Sequence, residues 1–561
     1  MIRVGLSPDC SSLLLKFDYH PKLVEMTKQL PGRRFHKTLG GWLLPLTKEL
    51  VQELPARFPG VHVQVQPDVQ ERLAQLQQVE AFTHTLKQED GDILLPKEMV
   101  FPTIQPMQHQ RRALALGAKR AKFAYLMEMG TGKTFVILSL LRWLKEHQMV
   151  RPTLIVAPAT VLHVWEDQAK QHQPDLKVMV LEGSVSQRMA QLHAGYVQGV
   201  EIFVVNYEAV WRMEDELAKL PWKVMVLDES TRIKARTTKQ AKSVLRLGQR
   251  VPRRYILTGT PIPNSPLELF AQFAFLDPAI LGSHFYAFRD RYAVMGGYQG
   301  YQVVAWKNTT ELMQKIAGHS YRVLKKDCLD LPEKVYAPIR LDLEGDQKQA
   351  YKELAEDLVT EVQDKEVTAP VLVSKLIKLR EILAGFIKTD DGTIRRFAKQ
   401  AKLEALQELV AELPAERKAV IWCQFHEEMR GICQFLREAQ HSYVRLDGST
   451  PNEERGTIVH QFQEDKQTRF FVGQQKAGGL GITLTAGTYC FFMTNDYSPE
   501  TRLQAEDRLH RIGQKNQVTY YDLLCKSTLD VAVMAALRRK QKLSEMLTGD
   551  NLQEIIDGAG F

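Results

Sequence analysis

Three clusters of residues have the types and spacing for phosphate chemistry. The first is Glu128-Met129-Gly130-Thr131-Gly132-Lys133-Thr134, which follows the apolar run FAYLM and precedes an apolar stretch of helical character. Glycine reaches backbone conformations closed to other residues, so a loop containing Gly130, Thr131 and Gly132 can turn its amides around phosphate oxygens. The helix start adds partial positive charge, Lys133 reaches the terminal phosphates, and Thr134 can ligate magnesium. The full G-x-x-x-x-G-K-[ST] pattern is not met, because Met127 stands at its first glycine. The second cluster is Asp228-Glu229, at the end of the apolar run VMVL. Two carboxylates at a strand terminus suit a magnesium ligand, assigned to Asp228, and a group that polarises the attacking water, assigned to Glu229. The third is Gln504 to Gln514, QAEDRLHRIGQ, in which Arg508 and Arg511 are three apart and would share one face of a helix. Paired guanidinium groups can neutralise charge developing on a phosphate. Taken alone, this last segment reads more readily as an ion-pair ladder with Glu506 and Asp507.

Such side chains need a frame. From residue 101 short, wholly apolar runs (FAYLM, TLIVA, IFVVN, VMVLD, YILTG) alternate with helical stretches, and a second series (KAVIWC, YVRLD, RFFVG, YCFFM, TYYDLL) begins near 418. Strands buried on both faces of a parallel sheet read this way, so the fold class expected is α/β with two such sheets. Residues 265–400 are mostly of helical pattern, as is the end of the chain from DVAVMAALRRKQKLSEML. The first 66 residues read as a small α+β unit: SLLLKFDY as a strand, HPKLVEMTKQL as a helix, RRFHKTLGGWLLPL as a hairpin with Gly40-Gly41 at its tip, and VHVQVQ as an alternating edge strand.

Bulk properties set outer bounds. The chain has 561 residues, 44% hydrophobic and 25% charged, which is ordinary globular composition and too long for one core. The net charge of +8 permits a polyanionic partner, and residues 1–50 carry eight Lys/Arg against four Asp/Glu while residues 101–150 carry eight against two. The cysteines form no C-x-x-C pair and several lie in strand-like runs, as expected of buried thiols in a reducing compartment. The N-terminus has no signal-peptide apolar core and no stretch is apolar enough to span a membrane. A cytoplasmic location, in a bacterial or viral host cell, or a nuclear one in a eukaryote, is the expectation.

In order along the chain, QPMQHQ, the GTGKT loop, LIVAPATVLHVWEDQ, VVNYEAV, Asp-Glu, LTGTPIPNSPLELF, LDLPEK, VIWCQF, RLDGST, KAGGLGITLTAG and QAEDRLHRIGQ resemble the motifs of Swi/Snf-type ATPases within superfamily-two helicases. The resemblance covers about residues 101–556 and implies two RecA-like lobes with ATP and magnesium held between them and double-stranded DNA across the top. It implies Gln108 as the adenine reader, Arg508 and Arg511 as arginine fingers, and Thr258, Gly259, Thr260 and Gln504 as coupling residues. Pro158, Thr160, Asn206, Gln424, Gly478, Gly479 and Gly481 would lie along the phosphate backbone, which gives grip without sequence reading. Trp165 reads as core. Three departures stand out: Met127 where an acidic residue is common, Ser230-Thr231 after the acidic pair in place of a small residue and His, and Tyr497 where Trp is frequent. The change at Ser230-Thr231 bears on coupling between hydrolysis and DNA binding.

The N-terminal stretch KFDYHPKLVEMTKQLPGRRFHKTLGGWLLPL is similar to the HARP module of annealing helicases, which rewind branched DNA. It implies a DNA contact through Arg33 and Arg34, with Lys37 beside Phe35 and Trp42; Trp42 itself reads as core. The expected division is 1–66 HARP-like module, 67–100 linker, 101–280 first lobe, 281–400 helical insertions and lobe connection, 401–528 second lobe, and 529–561 C-terminal helical brace. The resulting expectation is a monomeric, DNA-stimulated ATPase that translocates on duplex and anneals or remodels branched DNA. The alternatives are a motor that displaces proteins from DNA, of RNA-polymerase-recycling or defence type, a strand-separating helicase, and a binding module with a vestigial ATP site.

Overall fold

The computed structural model describes residues 1–8, 12–30, 33–74, 93, 95–262, 265–297, 302–363, 369–389, 391–475 and 482–548. The chain divides into two compact units, one built on Gly132–Leu324 together with the N-terminal residues and the other on Lys325–Glu545.

At the N-terminus, β1 (Ile2–Leu6), β2 (Ser12–Lys16), β3 (Arg34–His36), β4 (Gly41–Pro45) and β5 (Val63–Val65) form one mixed sheet in the order β3-β4-β2-β1-β5. The β3–β4 hairpin pairs Phe35 with Trp42, and Gly40 takes the left-handed conformation (φ +61°) that its turn requires. Ile2, Val4, Leu13, Leu15 and Leu44 point to one face, where Leu50, Leu54 and Phe58 close a small core. The alternation of buried and exposed positions in β1 is what a sheet with one covered face demands.

The first unit's large sheet contains β6 (Lys122–Met127), β7 (Thr153–Ala157), β8 (Val178–Val180), β9 (Ile202–Asn206), β10 (Val224–Asp228) and β11 (Arg253–Leu257). A hairpin of β12 (Ala293–Gly296) and β13 (Gln302–Trp306) follows, and then β14 (Ser320–Val323) rejoins the sheet. The order is β14-β6-β11-β10-β7-β9-β8, and every pairing is parallel. All five residues of β7 and of β9 are buried, because helices cover both faces of a parallel sheet.

The second unit carries β15 (Lys334–Leu341), a hairpin of β16 (Phe386–Lys388) and β17 (Ile394–Arg396), then β18 (Lys418–Cys423), β19 (Tyr443–Leu446), β20 (Phe470–Gln474), β21 (Gly487–Phe492) and β22 (Val518–Cys525). Its parallel sheet has the order β15-β22-β21-β18-β20-β19. The α/β class with two parallel sheets is as the sequence implied. The expected boundaries differ from the sheets, however. Strands β14 and β15 both fall inside 281–400, the stretch read as insertions, yet β14 pairs with β6 and β15 with β22. Each is an edge strand interrupted by polar residues, β14 reading SYRV and β15 KVYAPIRL, so neither carries the apolar run that marks a central strand. Cys423, Cys490 and Cys525 are buried within or at the ends of strands, and Cys433 is buried on a helix. No described helix is long and apolar enough to cross a membrane.

Candidate functional site

Register sets the site in the first unit. Strand β11 lies between β6 and β10, with Tyr125 opposite Leu257 and Leu257 opposite Asp228. The chain therefore leaves three neighbouring strands at one level: into the glycine loop after β6, into Thr258-Gly259-Thr260 after β11, and into Glu229 after β10. The carboxyl edge of a parallel sheet is where such folds bind ligands.

Gly130 and Gly132 have φ of +81° and +90°, a region that costs other residues dearly. Gly132 caps the helix Lys133–Glu146, which places Lys133 and Thr134 in its first turn; Thr131 is fully buried. Lys133 Nζ donates to Met127 O at 2.9 Å, so its ammonium is folded back over the loop. A Cβ on Gly132 would come within 2.2 Å of Gln110 Nε2, which shows how closely that amide approaches the loop. Gln110 is buried and its Oε1 accepts from Met107 N at 2.9 Å, whereas Gln108 is exposed at the start of the same helix, Gln108–Lys119. Gln110 thus faces the phosphate loop, while Gln108, the expected adenine reader, stands exposed at the helix start. QPMQHQ offers three glutamines, and for the two on the helix, Gln108 and Gln110, only the helix phase decides which turns inward.

Asp228 is held from three sides. Trp165 Nε1 donates to its Oδ2 at 3.1 Å, the Glu229 amide donates to its Oδ1 at 3.0 Å, and Tyr207 Oη donates to its main-chain oxygen at 2.7 Å. Burial first, and then the neighbouring Glu229 carboxylate, push Asp228 up to about 7, against the pull of Lys133. Trp165 is core, as expected, but it also orients the acid, a role that its place in an amphipathic helix does not announce. Glu229 is buried and sits in the left-handed region (φ +49°), an uncommon conformation for a residue with a Cβ. Thr258 is fully buried; its Oγ1 accepts from Thr260 N at 3.1 Å, and Gly259 and Thr260 are half-buried.

The donor set fits magnesium. Among the described residues no group of three or more His, Cys, Asp and Glu could hold a metal ion. A cation at Asp228 and Thr134 would thus complete its shell with water and phosphate oxygens, the habit of magnesium. A buried carboxylate pair is also costly without a cation beside it.

In the second unit the helix Pro499–Glu506 ends before the arginine pair, so Arg508 and Arg511 do not share a helix face. They converge instead through the turn, each donating to Ile482 O at 3.3 Å. The ion-pair ladder is answered too. Glu506 is engaged by Lys334 (2.9 Å) and Arg502 (2.8 Å), and Asp507 by Lys325 (2.6 Å). Arg508 is buried, and burial lowers the pKa of the half-buried Arg511. Gln504 lies on that helix with Nε2 3.3 Å from Glu500 Oε1.

The residues expected along a phosphate backbone are variously placed. Pro158 is buried at the start of the short 3-10 turn Ala159–Val161, and Thr160 Oγ1 has no hydrogen-bond partner among the described residues. The Asn206 amide is taken up by Arg188 (2.6 Å) and Glu208 (2.9 Å). Gln424 Oε1 accepts from Arg380, whose guanidinium also stacks on Tyr497 at 4.7 Å. Gly478, Gly479 and Gly481 lie outside the described residues. In the N-terminal sheet Arg33 and Lys37 are exposed, and Arg33 donates to Leu30 O at 3.1 Å. The Arg34 side chain lies outside what is described, and its backbone pairs with Leu43. Phe35 is 51% exposed and packs edge-on against Trp42, which borders the core.

Comparison with known proteins gives the chain its relatives. Residues 109–391 match the SNF2-related domain and residues 401–513 the helicase conserved C-terminal domain. The chain is 28% identical to the ATP-dependent helicase brm of Drosophila melanogaster over 74% of its own length and 27% of that protein's. It is 27% identical to the DNA excision repair protein ERCC-6 of Mus musculus, over 76% of this chain and 31% of the relative. Against six curated relatives it spans between 27% and 40% of their length. A solved SWI2/SNF2 ATPase core from Sulfolobus solfataricus in complex with dsDNA is 24% identical, with a TM-score of 0.39, covering 84% of this chain and 100% of that one.

Proposed function

Since the chain belongs to the SNF2-related domain family, as the match over residues 109–391 shows, we propose that it is a DNA-stimulated ATPase that moves along double-stranded DNA. The observation that carries this reading is the convergence of the Gly132-Lys133 loop, Asp228-Glu229 and Thr258 at one edge of one parallel sheet. Lys133 and the loop amides hold the ATP phosphates, with Gln110 against the loop. Asp228 and Thr134 would hold magnesium, which would supply charge neutralisation to the phosphates. Glu229 polarises the attacking water, and Arg508 and Arg511 keep the arginine-finger role that the family's motif order gives them. Thr160, in the turn after β7, is taken as a phosphate contact on the DNA track from the order of the family's motifs.

The finer reading is that the motor anneals or remodels branched DNA. Its support is the separate N-terminal sheet, which presents an exposed Phe35 beside the cationic Arg33 and Lys37, a combination suited to unstacked bases and phosphates. The test is ATPase rate without nucleic acid and with single strands, plain duplex, forked DNA and duplex RNA, at one salt concentration. Strongest stimulation by forks, reduced to the plain-duplex level by Arg33→Glu with Phe35→Ala, is the expected result. Equal stimulation by plain duplex keeps the motor and moves the reading to protein displacement. Stimulation by single strands or RNA alone overturns the duplex-DNA track.

A further inference from the structure

The helix Leu269–Leu276 reads LFAQFAFL, and its single polar side chain, Gln272, is fully buried. A buried amide is costly unless its hydrogen bonds are made, and here they are. Gln272 Oε1 accepts from Ser230 Oγ at 2.7 Å, and Gln272 Nε2 donates to Pro261 O at 2.9 Å and to Glu268 O at 3.1 Å. The two long-range partners have meaning by position. Ser230 follows Glu229, whose left-handed backbone aims the carboxylate, and Pro261 follows the Thr258-Gly259-Thr260 turn. Leucine would suit this apolar helix as well as glutamine does, so packing alone does not account for the residue.

We infer that Gln272 is a positioning residue: its amide ties the acidic pair, through Ser230, to the segment after Thr260, so that rearrangement of that segment on DNA is felt at Glu229. The inference rests on the DNA-stimulated ATPase reading above. Of the chain's departures from its family's usual pattern, Ser230 is thereby explained, because its hydroxyl is the donor that the Gln272 carbonyl takes. The link passes through a fully buried, low-dielectric region where each bond is stronger than it would be in water.

The experiment compares wild type, Gln272→Leu, Ser230→Ala and the double variant in the full chain, reading the ratio of duplex-stimulated to DNA-free kcat, the ATP KM and the melting temperature. Loss of one or two neutral hydrogen bonds corresponds to about a threefold to tenfold rate effect. The expected result is a fall of that size in the ratio for both single variants, with the double variant no lower than Gln272→Leu. A merely structural role would lower the melting temperature, leave the ratio at the wild-type value, and overturn the inference; so would effects of the two substitutions that multiply. Should Gln272→Leu not fold, Ser230→Ala decides alone, a wild-type ratio counting against the link and a reduced one for it. Wild-type protein that duplex DNA does not stimulate would instead overturn the functional reading itself, a separate outcome visible before any variant is made.

Discussion

Trp165 and Asp228 meet through an indole N–H and a carboxylate oxygen 3.1 Å apart, joining the helix Leu162–His172 to the end of β10. The bond makes a core tryptophan part of the nucleotide site. It fixes the orientation of the Asp228 carboxylate, and it lowers the cost of the charged form that burial opposes. Trp165→Phe keeps an aromatic ring, though a smaller one, and removes the donor. The expected outcome is about a tenfold loss in apparent magnesium affinity, in the range typical of groups that orient metal ligands, measured by titrating ATPase rate against magnesium.

Glu229→Gln preserves shape at a strained backbone position and removes the charge that polarises water. Turnover should fall by about a factor of a thousand while ATP still binds, measured by steady-state ATPase and by equilibrium binding of a fluorescent ATP analogue. Unchanged turnover would assign the water to another residue.

Gln110 and Gln108 separate the structure from the motif. Gln110→Ala removes the buried amide beside Gly132 and should raise the ATP KM about threefold to tenfold. Gln108→Ala, at an exposed position, should leave KM within about a factor of two. Equal effects would show that the helix phase does not determine nucleotide contact.

Gly132→Ala places a Cβ at φ +90° and within 2.2 Å of the Gln110 amide. The backbone term alone is about 1–2 kcal/mol, so the expected result is a lower melting temperature together with weakened ATP binding, read by thermal unfolding with and without ATP. Stabilisation by ATP equal to that of wild type would mean that the loop tolerates the change.

Acid should loosen the second unit through Glu506. Burial alone would raise this carboxyl, but Lys334 and Arg502 hold it at about 2. Its folded value lies below the unfolded one, about 4.3. The stability it contributes is therefore present above that value and is lost as pH falls toward 2, on the order of 3 kcal/mol in all. Lys334→Met removes one cation, so the acid-unfolding midpoint should move to higher pH, followed by circular dichroism between pH 2 and 7. A midpoint that stays put would show that Arg502 alone compensates the charge.

Much of this protein could be read without its fold. Wholly apolar runs of about five residues mark central parallel strands, because such strands are covered on both faces. The glycine loop, Asp228-Glu229 and the Arg508-Arg511 segment are legible because phosphate chemistry needs particular groups in a local order. Tertiary structure decided what depends on phase and on partners distant in sequence. It turned Gln110 inward and Gln108 outward, since successive helical positions differ by about 100°. It drew β14 and β15 into their sheets, since SYRV and KVYAPIRL mix polar with apolar residues and give no apolar run to read. It ended the helix at Glu506, so that Arg508 and Arg511 converge on Ile482 O through a turn. And it set Trp165 and Gln272 against the acidic pair, contacts that no spacing rule encodes because each joins segments dozens of residues apart.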